Sequence, residues 1–303
     1  MPGLMLLDTP SLYYRAFYGV PESVTSPDGM PVNAIRGLID MIATLVRQHS
    51  PGELAACMDA DWRPAFRVAA IPTYKAHRVA PGGGEETPDT LAPQVPVIER
   101  VLDAAGIARV DVPGYEADDV MGTLATRALG GVDIVTGDRD MFQLVDDDRP
   151  IRVLYTAKGV KNLQLVDEAA VTARYGVPGR SYADFATLRG DPSDGLPGVP
   201  GVGDKTAAAL ITRFGSLDAL LRAVDEGGDL TAGQRAKLSA ARDYLRVAPG
   251  VVRVARDAPV PDVDLALPVT PRDPGALDAL AERYGLGGPL GRLSAALSRV
   301  SPG

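Results

Sequence analysis

The chain has 303 residues, 46% of them hydrophobic and 23% charged, the balance of an ordinary water-soluble protein of one large domain or two smaller ones. Its single cysteine, Cys57, excludes an internal disulfide and suits a reducing compartment, and its two histidines, His49 and His77, leave a structural zinc site short of ligands. A net charge of −8 argues against a nucleic-acid partner, unless the acids gather around cations.

The start, MPGLMLLDTP, lacks a basic region and its apolar run is interrupted by Asp8. It is read neither as a secretion signal nor as a membrane span, so the expected location is cytoplasmic, with no membrane partner. LMLLD (4–8) is read as a short strand ending in Asp8. Ile35, Leu38, Ile39, Ile42, Leu45 and Val46 then recur at helical spacing. LAACMD (54–59) is a second apolar run ending in an acid, Asp59. A looser segment over 60–78 leads into VAPGGGEETPDTLAP, whose glycines, prolines and acids predict a mobile loop. VPVIERVLDAAGI reads as a helix and ARVDV as a strand.

GYEADDVMGTLA (114–125) puts Glu116, Asp118 and Asp119 into four positions at the head of an apolar helix pattern. Two like charges about 4 Å apart repel by roughly 4 kcal/mol at an effective dielectric near 20. Acids in a first helical turn gain only about 0.3–1 kcal/mol each from the helix dipole. Capping therefore accounts for one or two of them, hardly three. VDIVTGDRD (132–140) is a third apolar run, ending in Asp138 and Asp140. Strands alternating with helices predict an α/β fold, a largely parallel sheet with helices on both faces. From about residue 167 short helices broken by Gly and Pro take over, 250–255 (GVVRVA) is strand-like, 257–274 is a connector, and a last helix spans roughly 275–299.

In parallel sheets, ligands bind outside the carboxyl ends of strands. If the three runs are neighbours, Asp8, Asp59 and Asp138 meet in one crevice, and the helix begun by Glu116, Asp118 and Asp119 lies over its edge. Crowded carboxylates suit magnesium or manganese, hard cations that prefer oxygen. In RGDPSDGLPGVPGVGDKTAAALI (189–211), Asp191 and Asp194 add two acids, and Gly198, Gly201 and Gly203 punctuate a tight turn ahead of Lys205 and Thr206. Small residues let the backbone approach a phosphate, and free N–H groups at a helix start bind phosphate oxygens without reading sequence.

LLD, MDADWRPAFR, IPTYKAHR, GYEADDVMGTLA, IVTGDRDMFQL and LRGDPSDGLPGVPGVGDKTA occur in the order seen in bacterial 5′ nucleases. The chain resembles the 5′–3′ exonuclease (flap endonuclease) family, to which the nuclease region of DNA polymerase I belongs, over residues 4 to about 255. The resemblance implies a PIN-like core over 1–166 with a mobile arch at about 74–95. It further implies a helix–three-turn–helix region over 167–255 that grips duplex DNA by its phosphates, and a tail over 256–303 that packs back on the core. Matched residue by residue, it makes metal ligands of Asp8, Asp59, Glu116, Asp118, Asp119, Asp138, Asp140, Asp191 and Asp194, holding two or three Mg²⁺ or Mn²⁺ ions. These nine acids exceed the whole negative excess of the chain. It makes Lys75 and Arg78 contacts to the scissile phosphate, Tyr74 a stacking platform for a base, and Gly198, Gly201, Gly203, Lys205 and Thr206 DNA contacts, and it allows a potassium ion at the helix–three-turn–helix turn. The implied partner is branched or nicked duplex DNA carrying a 5′ flap or RNA primer, with polymerase and ligase as separate proteins and the chain itself a monomer. Two departures stand out: Thr9 follows Asp8 where the family has glycine, and the GGGEE loop is long and acidic. Two rivals remain, a non-catalytic binder of branched DNA with the same fold and a phosphatase with an aspartyl nucleophile. The second lacks the usual Asp two residues after Asp8, where Pro10 stands.

Overall fold

The computed structural model describes residues 3–299. Six strands form one sheet: β1 (Leu4–Asp8), β2 (Glu53–Cys57), β3 (Ala108–Val110), β4 (Val132–Thr136), β5 (Ile151–Tyr155) and β6 (Gln164–Val166). Their spatial order is β3-β2-β1-β4-β5-β6, parallel throughout except for β6, which runs against β5. Helices α1 (Thr9–Gly19), α2 (Asn33–His49), α3 (Ala65–Ala70), α4 (Val95–Ala105) and α5 (Ala117–Arg127) are interleaved with the first strands. After the sheet come α6 (Glu168–Tyr175), α7 (Tyr182–Arg189), α8 (Asp204–Phe214), α9 (Leu217–Asp225), α10 (Ala232–Ala240), α11 (Arg242–Val247), α12 (Pro249–Val252), α13 (Pro274–Tyr284) and α14 (Gly287–Leu297).

Side chains alternate across a strand, so each strand feeds two cores. Met5 and Leu7 of β1 join the core under α1, α2, α4, α13 and α14, while Leu4 and Leu6 join the core under α5 and the later helices. This double burial explains why the strands read as unbroken apolar runs. On the first face α14 lies along α2, clamped at its edge by the Arg292–Asp40 ion pair (2.8 and 3.0 Å).

The pairing registers bring the carboxyl ends of β2, β1 and β4 side by side: Asp8 stands beside Cys57 and Leu7 beside Val135. Asp59 and Asp138 each follow two residues after a strand end, so all three acids reach the same edge. The order reverses at β1, with β2 on one side and β4 on the other, which opens a crevice there.

One sequence expectation needs correction. The stretch 250–255 is not a strand. Pro249 and Gly250 open the single turn of α12, which buries Val251 and Val252 together, and beyond it the Val254 and Ala255 N–H groups are taken by the Gln143 and Asp119 side chains rather than by a neighbouring strand. In the loop after Arg78, Val79 bridges Glu85, and Gly83 and Gly84 take φ near +80° to make the reversal.

Candidate metal centre and nucleic-acid interface

A polar cleft of about 310 Å³ opens at the carboxyl edge of the sheet. Asp8, Asp59, Glu116, Asp118, Asp138 and Asp191 line it together with Lys75, Arg78 and Glu85. Asp8 is buried at the end of β1, where its Oδ1 accepts from Ser11 N (3.1 Å) and its Oδ2 from Thr136 Oγ1 (2.5 Å). Thr136 Oγ1 in turn accepts from Asp138 N (2.8 Å), and Asp138 Oδ1 from Asp140 N (2.8 Å). Asp59 Oδ1 accepts from the first N–H of α5, Ala117 N (2.7 Å), so it holds the start of the acidic helix over the crevice. Asp140 and Asp194 sit behind Asp118, around an adjoining space of about 10 Å³, room for one water.

Burial sets the acidities. It pushes the Asp8 carboxyl up to about 7 despite its two hydrogen bonds, with the charges of Asp138 and Asp59 adding to the rise. Burial first, and then Asp138 and Asp8, push Asp118 well above the carboxylate range. Asp140 rises in the same way, by burial and then by Asp138, and burial also raises Asp59 and Asp194.

Ion pairs at this edge reach Glu116, Asp119, Asp191 and Asp194; among the described residues none reaches Asp8, Asp59, Asp118, Asp138 or Asp140. Unpaired buried carboxylates are costly unless a cation joins them, so the donor set fits a hard divalent ion. Among the described residues no group of three acidic, histidine or cysteine side chains is spaced, as it stands, to hold a metal ion.

Three residues read from the sequence are engaged by other protein groups: Asp119, Glu116 and Tyr74. Asp119 is fully buried, and both its oxygens are occupied: Oδ1 accepts from Arg67 Nη2 (2.6 Å) and Ala255 N (2.7 Å), Oδ2 from Arg67 Nη1 (2.8 Å) and Glu116 N (3.2 Å). In this arrangement it is the partner of Arg67 and is not among the acids that line the cleft. Glu116 lines the cleft, where its Oε2 accepts from Arg67 and from Tyr74 OH (2.8 Å) and its Oε1 from Lys75 Nζ. Tyr74 is 4% exposed with its ring in the core, which rules out stacking on a base in this arrangement. Arg78 Nη2 donates to Asp194 Oδ1 (2.8 Å) and Ser193 O (2.8 Å), joining the segment before the loop to the acids of 191–194.

Sequence reasoning missed Arg67 and Thr136. Arg67 is 2% exposed inside the apolar stretch FRVAA, and an arginine at a core-facing helical position was the available signal. Nothing in the sequence set Thr136 apart from other strand threonines.

The glycine turn lies beyond α7. Gly198 (φ +67°) approaches Arg189 so closely that a Cβ would stand 2.4 Å from its carbonyl oxygen, and Gly201 (φ +73°) also needs the left-handed region. Gly203 is the N-cap of α8 and offers no side chain to the first N–H groups. Lys205 is exposed there, and Thr206 is half-buried.

A mostly parallel sheet carrying acids at its carboxyl edge, followed by a helical region with an open glycine turn, defines a PIN-like nuclease. The chain belongs to the 5′-3′ exonuclease family: residues 3–176 match its N-terminal resolvase-like domain and 177–274 its C-terminal SAM fold. It is 64% identical over 300 residues to the 5′-3′ exonuclease of Streptomyces coelicolor, covering 97% of this chain and 100% of that one. It is 47% identical over 228 residues to DNA polymerase I of Mycobacterium bovis, covering 74% of this chain but 24% of the polymerase. In fold it is similar to the T5 D15 protein crystallised with metal ions (TM-score 0.64, 16% identity, 98% of both chains). No helix among the described residues is long and apolar enough to cross a membrane.

Proposed function

We propose that this 5′-3′ exonuclease is a metal-dependent, structure-specific enzyme that cuts 5′ flaps and RNA primers from branched or nicked duplex DNA, leaving a 5′-phosphate and a 3′-hydroxyl. The observation that carries the reading is the set of carboxylates at the ends of β2, β1 and β4, Asp8 buried and Asp59 and Asp138 half-buried, which have no ion-pair partner among the described residues and share one cleft with Lys75 and Arg78. Asp8, Asp59, Asp118 and Asp138 would hold one group of ions, and Asp140, Asp191 and Asp194 a second. Two or three Mg²⁺ or Mn²⁺ ions supply a hydroxide at neutral pH and a counter-charge for the leaving oxygen.

The chain's own residues do the rest. Lys75 and Arg78 bring positive charge to the scissile phosphate, where it counts most as negative charge builds. Gly198, Gly201 and Gly203 let a phosphate approach the first N–H groups of α8, and Lys205 adds a charge there. The division at 166 and 255 into core, helical region and tail belongs to the same proposal, as do a monomeric state, a separate polymerase and ligase, and a cytoplasmic location. A binder without catalysis is disfavoured because the cleft keeps its acids. A 5′-labelled flap substrate tests the reading: cleavage near the branch with Mg²⁺ or Mn²⁺, and none in EDTA, is expected. Binding without cleavage under every metal condition would favour the non-catalytic alternative.

A further inference from the structure

Glu85 lines the cleft with Lys75, Arg78 and Asp59, but it is carried by the GGGEE loop rather than by the sheet edge. The backbone holds it there. Val79 bridges Glu85 across the reversal, and Glu86 N donates to Arg78 O (2.7 Å). Side chains alternate along extended backbone, so Glu85 turns inward and is half-buried while Glu86 is exposed. Beyond them the Thr87 and Tyr14 hydroxyls meet at 3.3 Å, and Thr90 Oγ1 donates to Glu22. The loop is thus moored to α1 and to the segment that follows α1.

Lys75 and Arg78 are held by Glu116 and Asp194, and among the described residues Glu85 has no ion-pair partner. Burial pushes its carboxyl above the ordinary range, Asp59 adds to the rise, and Lys75 and Arg78 oppose it, so all three charges act on it. Once ionised, Glu85 sets a negative charge against any anion that comes to Lys75 and Arg78. That repulsion scales with the charge of the anion. An internal phosphodiester carries one negative charge, whereas a terminal phosphate carries about 1.5–2 at pH 7. Positive groups that attract the substrate phosphodiester attract the terminal phosphate of the product more strongly, and an unopposed cleft would retain its product.

We infer that Glu85 is a product-release residue: its carboxylate tolerates the phosphodiester that enters at Lys75 and Arg78 and expels the 5′-phosphate that cleavage leaves there. This rests on the nuclease reading above and goes beyond it, because it gives the GGGEE loop a share in turnover and makes the response depend on the charge at one 5′ end.

The test is flap cleavage by the full chain in Mg²⁺ at pH 8, with nicked-duplex product added as a competitor. The competitor carries a 5′-hydroxyl, a 5′-methylphosphodiester or a 5′-phosphate, so that zero, one or two charges reach the cleft. In Glu85→Gln and Glu85→Ala the inhibition constant should stay within about twofold of wild type for the hydroxyl, fall about threefold for the methylphosphodiester and fall about tenfold for the phosphate. These differences should shrink as salt rises. The single-turnover rate at saturating enzyme should stay at or above that of wild type. Glu85→Asp, which keeps the charge, should remain within about threefold of wild type, and Glu86→Gln should match wild type. Equal changes for all three competitors, or none, would overturn the inference. A lost single-turnover rate together with weaker Mn²⁺ binding would also overturn it, by making Glu85 a metal ligand. Either result alongside normal wild-type flap cleavage removes this inference alone; a wild-type chain that cuts no flap in Mg²⁺ or Mn²⁺ takes the nuclease reading with it.

Discussion

Lys75 and Glu116 hold each other at the cleft wall: the Lys75 ammonium donates to the Glu116 carboxylate, which burial pushes toward its protonated form. The backbone of Lys75 takes a left-handed conformation (φ +46°), rare for a residue with a side chain, with its N–H on Asp194 O (2.9 Å). The lysine proposed for the scissile phosphate is thus held on an acid of the cleft wall. In Lys75→Ala, Glu116 keeps Arg67 and Tyr74, so the protein should still fold. Loss of one charge aimed at the transition state is typically worth roughly 2.7–4 kcal/mol, about a hundredfold in rate. Lys75→Ala and Arg78→Ala should bind flap DNA nearly normally and cut it about a hundredfold more slowly in single-turnover assays at saturating enzyme. Weak binding with an unchanged single-turnover rate would instead make them surface charges that only attract DNA.

Asp138 and Asp119 should behave oppositely. Asp138→Asn should abolish cleavage, leave the melting temperature within a few degrees of wild type and weaken Mn²⁺ binding in a calorimetric titration. Asp119→Ala strands the buried Arg67 guanidinium and the Ala255 N–H, a loss of about 3–5 kcal/mol. Chemical denaturation should show that loss for Asp119→Ala whether or not metal is present. An Asp119→Ala protein as stable as wild type but devoid of metal binding would restore Asp119 to the ligand set.

The raised carboxyls fix a direction for pH. A carboxyl whose folded pKa exceeds its unfolded value, ordinarily about 3.9 for Asp, binds more protons in the native state. Its stabilising contribution is therefore complete at low pH and is lost as pH rises through the folded value, about 7 for Asp8. Without divalent ions, the melting temperature of wild type relative to Asp8→Asn should fall between pH 5 and pH 8. Metal binds the ionised form. Mg²⁺ or Mn²⁺ should therefore raise the wild-type melting temperature more at pH 8 than at pH 5. A metal-induced rise that is larger at pH 5 would contradict the assignment of these acids.

Lys205 stands exposed one residue into α8, at the open glycine turn. Lys205→Ala should weaken binding to unrelated duplex sequences by the same factor and reduce the salt dependence by about one contact. Gel-shift titrations at several salt concentrations on two duplexes of equal length would show it. Discrimination between those duplexes would mean that the turn reads bases.

Much of the site was legible because strand ends and glycines leave marks in a sequence. Asp8, Asp59 and Asp138 could be placed at one edge because each closes an apolar run and parallel strands present their ends together. What stayed hidden depends on direction rather than on spacing. Asp118 and Asp119 are adjacent in sequence but a helical step of about 100° apart on α5, so that Asp118 lines the cleft and Asp119 pairs with Arg67. No composition argument separates neighbours on a helix when both are acids. Tyr74 was misread for a related reason: a tyrosine beside two basic residues looks like a nucleic-acid contact, whereas tertiary packing turned its ring inward and left its hydroxyl to Glu116. The strands β5 and β6 were missed because they sit among turn residues, and β6 has only three residues.

The Thr136 hydroxyl fixes the interval between two carboxylates. Its oxygen accepts from the Asp138 amide, so its single proton is free for Asp8, and the ends of β1 and β4 are joined through one atom. Asp8 and the backbone that carries Asp138 are thereby held as one unit rather than as separate arms. Removing the hydroxyl while keeping the shape, as in Thr136→Val, should uncouple the two strand ends.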